Sequence, residues 1–188
     1  MRSWIARFAL PVALLITAPG WAAEETVVVT AQEIRIDPRN GLRLHNNEPL
    51  TGEIHGYFDN GELAMVDQFV NGKRHGYARN YFADGRLGYE LPFVEGKRHG
   101  VSKTWWSNGM LRSTTTFEHD VPHGEAWGWY EDGKKFKVAR YQKGEPVGLQ
   151  QAWRKNGKLY RNFEIRNGRL YGLNNADLCV EIVEEVSS

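Results

Sequence analysis

GKRHGYARNYFADGRLGYELPFVE (72–95) runs directly into GKRHGVSKTWWSNGMLRSTTTFEH (96–119). The same five residues open both stretches, 24 positions apart. Working outward, glycine recurs at Gly52, Gly76, Gly100, Gly124, Gly148 and Gly172, every interval being 24. The pairs Asn60-Gly61, Asp84-Gly85, Asn108-Gly109, Asp132-Gly133 and Asn156-Gly157 keep that interval without a slip. So do Tyr57, Tyr81, Trp105, Trp129 and Trp153, and so do Phe69, Phe93, Phe117, Tyr141 and Ile165. Leucines at 63, 87, 111 and 159 form a further series, interrupted by Lys135. Self-similarity at a fixed period of this size marks a repeat array.

Asn-Gly or Asp-Gly between two aromatic-rich segments is a strong hairpin signal, because both central residues of a type I′ turn take positive φ. No stretch between the turns sustains helical apolar spacing. The spacing therefore predicts an all-β fold, an elongated antiparallel meander of five 24-residue hairpins flanked by capping strands. In the second unit it predicts a strand near 76–82, a turn at 83–86, a strand near 87–94 and a junction at 95–99. Two strands per unit give roughly 10 Å of rise, so five units span on the order of 50 Å.

A two- or four-residue loop places Phe58 beside Leu63, Phe82 beside Leu87 and Trp106 beside Leu111. The same register sets Gly52 opposite Phe69, Gly76 opposite Phe93 and Gly100 opposite Phe117. A ring lying over each glycine would shield its backbone and explain why the two positions recur together. That face is expected to be packed. The opposite face carries Tyr57, Tyr81, Trp105, Trp129 and Trp153, flanked by Arg79, Lys103, Arg112 and Arg140. A three-residue loop with a bulge would exchange the faces.

Outside the repeats, residues 1–22 read as a secretory leader. Arg2 and Arg7 precede an 11-residue apolar run, Phe8–Ala18, and Gly20 and Ala22 precede a cleavage point before Ala23. A helix of that length covers only about 16 Å, short of a bilayer core. The expected organisation is a leader over 1–22, N-terminal capping strands over 23–48, the array over 49–172 and a C-terminal cap over 173–188. Removing the two leader arginines leaves 22 basic against 23 acidic residues, a formal −1, so nothing in the overall charge attracts nucleic acid. Cys179 is the only cysteine, which excludes an internal disulfide; it is either a small buried residue or an intermolecular bridge.

Catalytic signatures such as H-E-x-x-H, G-x-S-x-G, G-x-x-x-x-G-K-[ST] and C-x-x-C are missing from the sequence. His75, His99 and His123 form a ladder, but units about 10 Å apart cannot bring three rings within the 2.0–2.1 Å of zinc–nitrogen bonds. His119, Asp120 and His123 are closer together in one junction, where solvation is the simpler account; no metal and no cofactor are expected. Lys73, Arg74, Lys97 and Arg98 make a local basic edge suited to phosphate or an acidic protein surface.

The pattern G-x₄-[YW]-x₂-[DN]-G-x-L-x₅-F-x-x-G-K-x-x-G over about residues 40–172 resembles the MORN repeat, in the divergent variant found in bacteria. The resemblance implies a hairpin array used for protein binding. It also brings two further roles: antitoxin of a toxin–antitoxin pair, and membrane recognition. It carries over no catalytic residue. Together these observations lead to an exported, non-catalytic scaffold that binds a protein partner in the periplasm and, once the leader is removed, does not span a membrane. Its candidate surface comprises Tyr57, Tyr81, Trp105, Trp129, Trp153, Lys73, Arg74, Lys97 and Arg98. Alternatives are an antitoxin or immunity protein that neutralises a toxin, and recognition of anionic lipid headgroups or envelope glycan by the same surface.

Overall fold

The computed structural model describes residues 26–173. The leader, Cys179 and the segment beyond residue 173 lie outside the described residues. The N-terminal cap comprises β1 (Val28–Thr30), a 3₁₀ turn (Ala31–Glu33), β2 (Ile34–Ile36), β3 (Arg43–His45) and β4 (Glu48–Pro49). Five hairpins follow. They are β5 (Gly52–Tyr57) with β6 (Leu63–Val70), and β7 (Lys73–Tyr81) with β8 (Leu87–Val94). After the short β9 (Lys97–Arg98) come β10 (Gly100–Trp105) with β11 (Leu111–Glu118), and β12 (Val121–Trp129) with β13 (Lys135–Gln142). After the short β14 (Glu145–Pro146) come β15 (Gly148–Trp153) with β16 (Leu159–Arg166), and β17 (Arg169–Leu173) closes the described sheet.

The order of strands in the large sheet is the order of the chain, as a meander requires. The cap departs from it twice. β1 pairs in parallel with β5, making one edge of the sheet mixed, while β2, β3 and β4 form a separate three-stranded sheet. Among the described residues an apolar cluster forms where the cap meets the first hairpin, Val29, Leu50, Ile54 and Phe69 with Ile34 against it. Along the array the other buried apolar residues, Val66, Ala78, Val138 and Ala152, lie outside that cluster, and among the described residues no second layer covers the sheet. Stability there rests on strand pairing and on contacts between successive units, as in solenoids.

The hairpin bodies have the expected register: Gly52 faces Phe69, Gly76 faces Phe93 and Gly100 faces Phe117. Nearer the turn the expectation fails. Tyr57 pairs with Leu63, Tyr81 with Leu87 and Trp105 with Leu111, so the leucines do not lie beside Phe58, Phe82 and Trp106. Between Gly56 and Tyr57 the register steps by one, leaving Ala64 as an extra residue on β6. Gly88, Arg112, Phe136 and Tyr160 are its counterparts. Each counterpart approaches the residue just after its strand. An added Cβ at Gly88 would lie 3.5 Å from the Phe82 ring, Arg112 stacks on Trp106, and Phe136 packs against Tyr130 at 5.1 Å between centroids.

The turn types are exchanged relative to expectation. At Asn60-Gly61 only the glycine has positive φ (84°). The Gly61 N–H donates to the Phe58 carbonyl and the Phe58 N–H to the Glu62 carbonyl, both at 2.8 Å, which is a type I turn ending in a glycine bulge. Two successive residues with positive φ occur instead at the junctions: Asn71-Gly72, Glu95-Gly96, His119-Asp120, Lys143-Gly144 and Asn167-Gly168. The Asn46-Asn47 turn of the cap repeats that geometry. In the third junction two side-chain-bearing residues, His119 at 52° and Asp120 at 72°, occupy positions that suit Asn-Gly.

The recurring glycine also has a different cause from the ring-over-glycine one. Gly76, Gly100, Gly124 and Gly148 have φ of 95°, 112°, 81° and 62°. In the first of these the strand bulges where it meets the preceding unit: Gln68 alone faces the His75–Gly76–Tyr77 segment, and its Oε1 accepts the Tyr77 N–H at 2.7 Å. A Cβ at Gly76 would lie 2.3 Å from that oxygen, whereas nothing is within 4 Å at Gly124, and neither Phe93 nor Tyr141 is among the nearest atoms. Backbone conformation, not a covering ring, explains why glycine returns every 24 residues.

Candidate functional site

Strand pairing carries the five rings of the sequence pattern to equivalent places. Tyr57, Tyr81, Trp105, Trp129 and Trp153 each pair with the first residue of the returning strand, namely Leu63, Leu87, Leu111, Lys135 and Leu159. The bulge thus adds the leucines to the aromatic column. Tyr57 is 55% exposed, and the other four rings are half-buried.

The column changes character along the array. At its N-terminal end the rings belong to a hydrogen-bonded chain. The Tyr57 hydroxyl lies 3.5 Å from His55 Nδ1, and His55 Nε2 donates to Glu53 at 2.7 Å. Gln68 Nε2 donates to the other Glu53 oxygen at 3.0 Å. The Gln68 amide and then the His55 ring hold the Glu53 carboxyl below its ordinary range. Near the centre, a shallow groove of about 450 Å³ is lined by Phe58, Tyr81, Phe82, Tyr89, Trp105 and Arg112, among others. Further along, Trp127 and Trp129 lie nearly parallel, 20° apart and 6.1 Å between centroids. Lys135 Nζ is 5.3 Å from the Trp127 centroid and 5.9 Å from that of Trp153. Trp127 Nε1 donates to Glu125, which also accepts from Arg140; both hydrogen bonds, the indole's first, lower the Glu125 pKa.

The flanking cations are mostly engaged. Arg79 pairs with Glu90 at 2.8 Å and lies over Tyr77, Arg140 pairs with Glu125, and Lys103 stands opposite Glu90 in the register. On the junction edge, Arg74 binds the buried Asp67 at 2.7 Å and lies over Phe93. Lys73 meets Glu95 at 3.2 Å. Arg98 binds Asp120 and lies 4.1 Å from the Phe117 centroid. Lys97 is exposed. Three of the four cations in this basic edge are therefore ion-paired, and two of them, Arg74 and Arg98, link one unit to the next.

The histidines of the ladder have separate neighbours. His99 meets His119 edge to face at 5.1 Å, and His123 lies 3.8 Å from Glu118. Among the described residues no three His, Cys, Asp or Glu side chains converge so as to hold a metal ion.

A second periodic column comprises Phe58, Phe82 and Trp106, which the sequence pattern set beside the leucines, and continues with Tyr130, which that pattern did not include. Trp106 Nε1 donates to the Trp129 carbonyl at 3.1 Å, and the Tyr130 hydroxyl donates to the Trp153 carbonyl at 2.8 Å. Trp106 and Tyr130 thus reach the backbone of the next unit from the hairpin-turn side. At the opposite long edge, the Gly72, Gly96, Asp120 and Gly144 N–H groups donate to the carbonyls of Leu50, Arg74, Arg98 and Pro122. These two rows fasten the units along both edges.

Residues 98–119, which include the third hairpin, match the family model described as the MORN repeat variant. The unit is a MORN repeat. The matched span of the MORN array starts within β9 and ends in the strained junction turn. No curated protein matches the chain. Among solved structures, a point mutant of S. aureus TarM in complex with fondaparinux, alpha-GlcNAc-glycerol and UDP is 18% identical; the alignment covers 59% of this chain and 22% of that one, with a TM-score of 0.33. Another crystal structure of TarM is 18% identical over 65% of this chain and 23% of that one, with a TM-score of 0.34. The chain spans less than a quarter of the length of either, and similarity at that level bears on neither fold nor activity.

Proposed function

We propose that the MORN array is a non-catalytic binding scaffold, exported to the periplasm, whose aromatic column is the surface that engages a protein partner. The observation that carries this reading is the column itself. Five rings stand at equivalent positions on a sheet that no second layer covers among the described residues, with leucine or lysine opposite each. Half-exposed Trp and Tyr on a rigid frame offer contact area at low ordering cost, the composition typical of interface hot spots. Export is supported by the charge and hydropathy pattern of residues 1–22.

The test is crosslinking capture in living cells, comparing the native protein with a Trp105→Ala, Trp129→Ala variant. The expected outcome is a discrete partner crosslinked to the native protein and lost from the variant, with both proteins recovered from the periplasmic fraction. A partner retained equally by both, or recovery of the protein in the cytoplasm, would refute the proposal.

A further inference from the structure

The hairpin-turn edge of the array is not uniform along its length. The eight-residue turn segments of the first three units, 58–65, 82–89 and 106–113, contain two basic and three acidic residues between them. Those of the last two units, 130–137 and 154–161, contain seven basic residues and two acidic ones. Lys134 pairs with Asp132 at 2.9 Å. Among the described residues, Lys135, Lys137, Lys155 and Lys158 form no ion pair. Lys155 and Lys137 rest on aromatic rings instead, with Nζ 5.9 Å from the Tyr130 centroid and 5.8 Å from that of Phe136, and Arg161 lies 5.9 Å from the Tyr160 centroid. The Tyr130 ring is fixed by its hydroxyl bond to the Trp153 carbonyl.

Ring and cation thus alternate along one edge, with successive units about 10 Å apart. The arrangement has a chemical meaning. A cation on a ring leaves its positive charge uncompensated by a carboxylate, so the edge attracts anions. A small inorganic anion would use the ammonium groups and ignore the rings. A flexible acidic peptide would likewise use the charge, with no need for rings at fixed spacing. A pyranose ring bearing a carboxylate uses both, since its apolar face stacks on the aromatic ring while its carboxylate meets the adjacent ammonium. The recurrence over two units suits a linear chain of such sugars.

From this placement we infer that the turn edge of the last two units, centred on Tyr130, Lys155, Lys158 and Tyr160, is a binding site for an anionic polysaccharide of the uronic-acid class. The site is separate from the protein-binding column and does not depend on it.

The experiment is calorimetric titration of the protein, purified from expressing cells, with polygalacturonate in low-salt buffer, with dextran and poly-glutamate as comparison polymers. Polygalacturonate is expected to bind, dextran to give no heat, and poly-glutamate to bind at least about tenfold more weakly. Lys155→Glu with Lys158→Glu, both on an exposed turn, is expected to weaken polygalacturonate binding at least about tenfold, while Lys97→Glu on the opposite edge leaves it unchanged. Tyr160→Ala is expected to weaken polygalacturonate and leave poly-glutamate as it was; a thermal melt checks that this variant is folded. The inference is overturned if polygalacturonate does not bind, or if the double lysine variant binds like the native protein. Equal binding of poly-glutamate, indifferent to Tyr160, would also overturn it and reassign the edge to acidic proteins. The Trp105→Ala, Trp129→Ala variant should bind polygalacturonate normally, so failure of the protein-binding proposal leaves this result readable.

Discussion

Substituting the recurring glycines by alanine separates backbone conformation from packing, because two of them sit in different surroundings. At Gly124, φ is 81° and a Cβ would have nothing within 4 Å, so Gly124→Ala brings only the conformational penalty of a left-handed L residue, about 1–2 kcal/mol. At Gly76, φ is 95° and the new Cβ would lie 2.3 Å from Gln68 Oε1, the acceptor of the Tyr77 N–H. The amide must move, so a hydrogen bond worth about 1 kcal/mol is lost on top of the strain, for a total of about 2–3 kcal/mol. Urea unfolding followed by tryptophan fluorescence measures both, read as midpoint shifts at constant slope because an array need not unfold in two states. Adding Tyr141→Ala to Gly124→Ala tests the competing idea that a ring over glycine is what matters. The expected coupling is near zero, since that ring is not among the atoms near Gly124. A coupling above about 1 kcal/mol, or a neutral Gly124→Ala, would refute the conformational account.

Three further outcomes follow from other contacts. Trp106→Phe keeps most of the ring but removes the donor to the Trp129 carbonyl, and should cost about 0.5–1.5 kcal/mol, with faster amide exchange local to units three and four. His119→Asn places a residue tolerant of left-handed φ in the strained junction turn, and should raise the unfolding midpoint by an amount equivalent to about 0.5–1 kcal/mol; a fall would show that the His99–His119 contact outweighs the strain. Glu53 has its pKa lowered in the folded state, so its contribution to stability is present above its ordinary value of 4.5 and disappears as pH falls through the lower folded value. Acid titration should therefore loosen the first hairpin below that ordinary value, and Glu53→Gln should flatten this part of the profile as followed by hydrogen exchange of residues 53–57.

The period, the hairpin unit and the body register were legible because glycine, ring and turn residues recur without a slip. The turn types were not. Four of the five units offer two X-Gly pairs, such as Asn60-Gly61 and Asn71-Gly72, and composition alone does not reveal which closes a two-residue loop. What decides it is the extra residue at Ala64 and its counterparts, which share no side-chain type: Ala, Gly, Arg, Phe and Tyr. Without that bulge the leucines fall beside Phe58, Phe82 and Trp106; with it they join the aromatic column. The parallel pairing of Val28–Thr30 with β5 depends on how the chain crosses the sheet edge, which a run of three valines does not encode. At the candidate surface, the rings were found by period. The loss of free charge at Arg74 and Arg98 was not, because Asp67 and Asp120 belong to different strands or turns and meet the arginines only through pairing.

The row of N–H groups from Gly72, Gly96, Asp120 and Gly144 to the preceding junction has a consequence for how such a chain can change over time. Donor and acceptor are always 22 positions apart, so duplicating one whole unit leaves every donor with an acceptor and lengthens the molecule by one step. A tandem duplication of 23 or 25 residues would put donor and acceptor out of step at the new boundary and turn the side chains paired across it to the wrong side. The architecture therefore behaves as a ruler whose length is adjustable only in whole divisions.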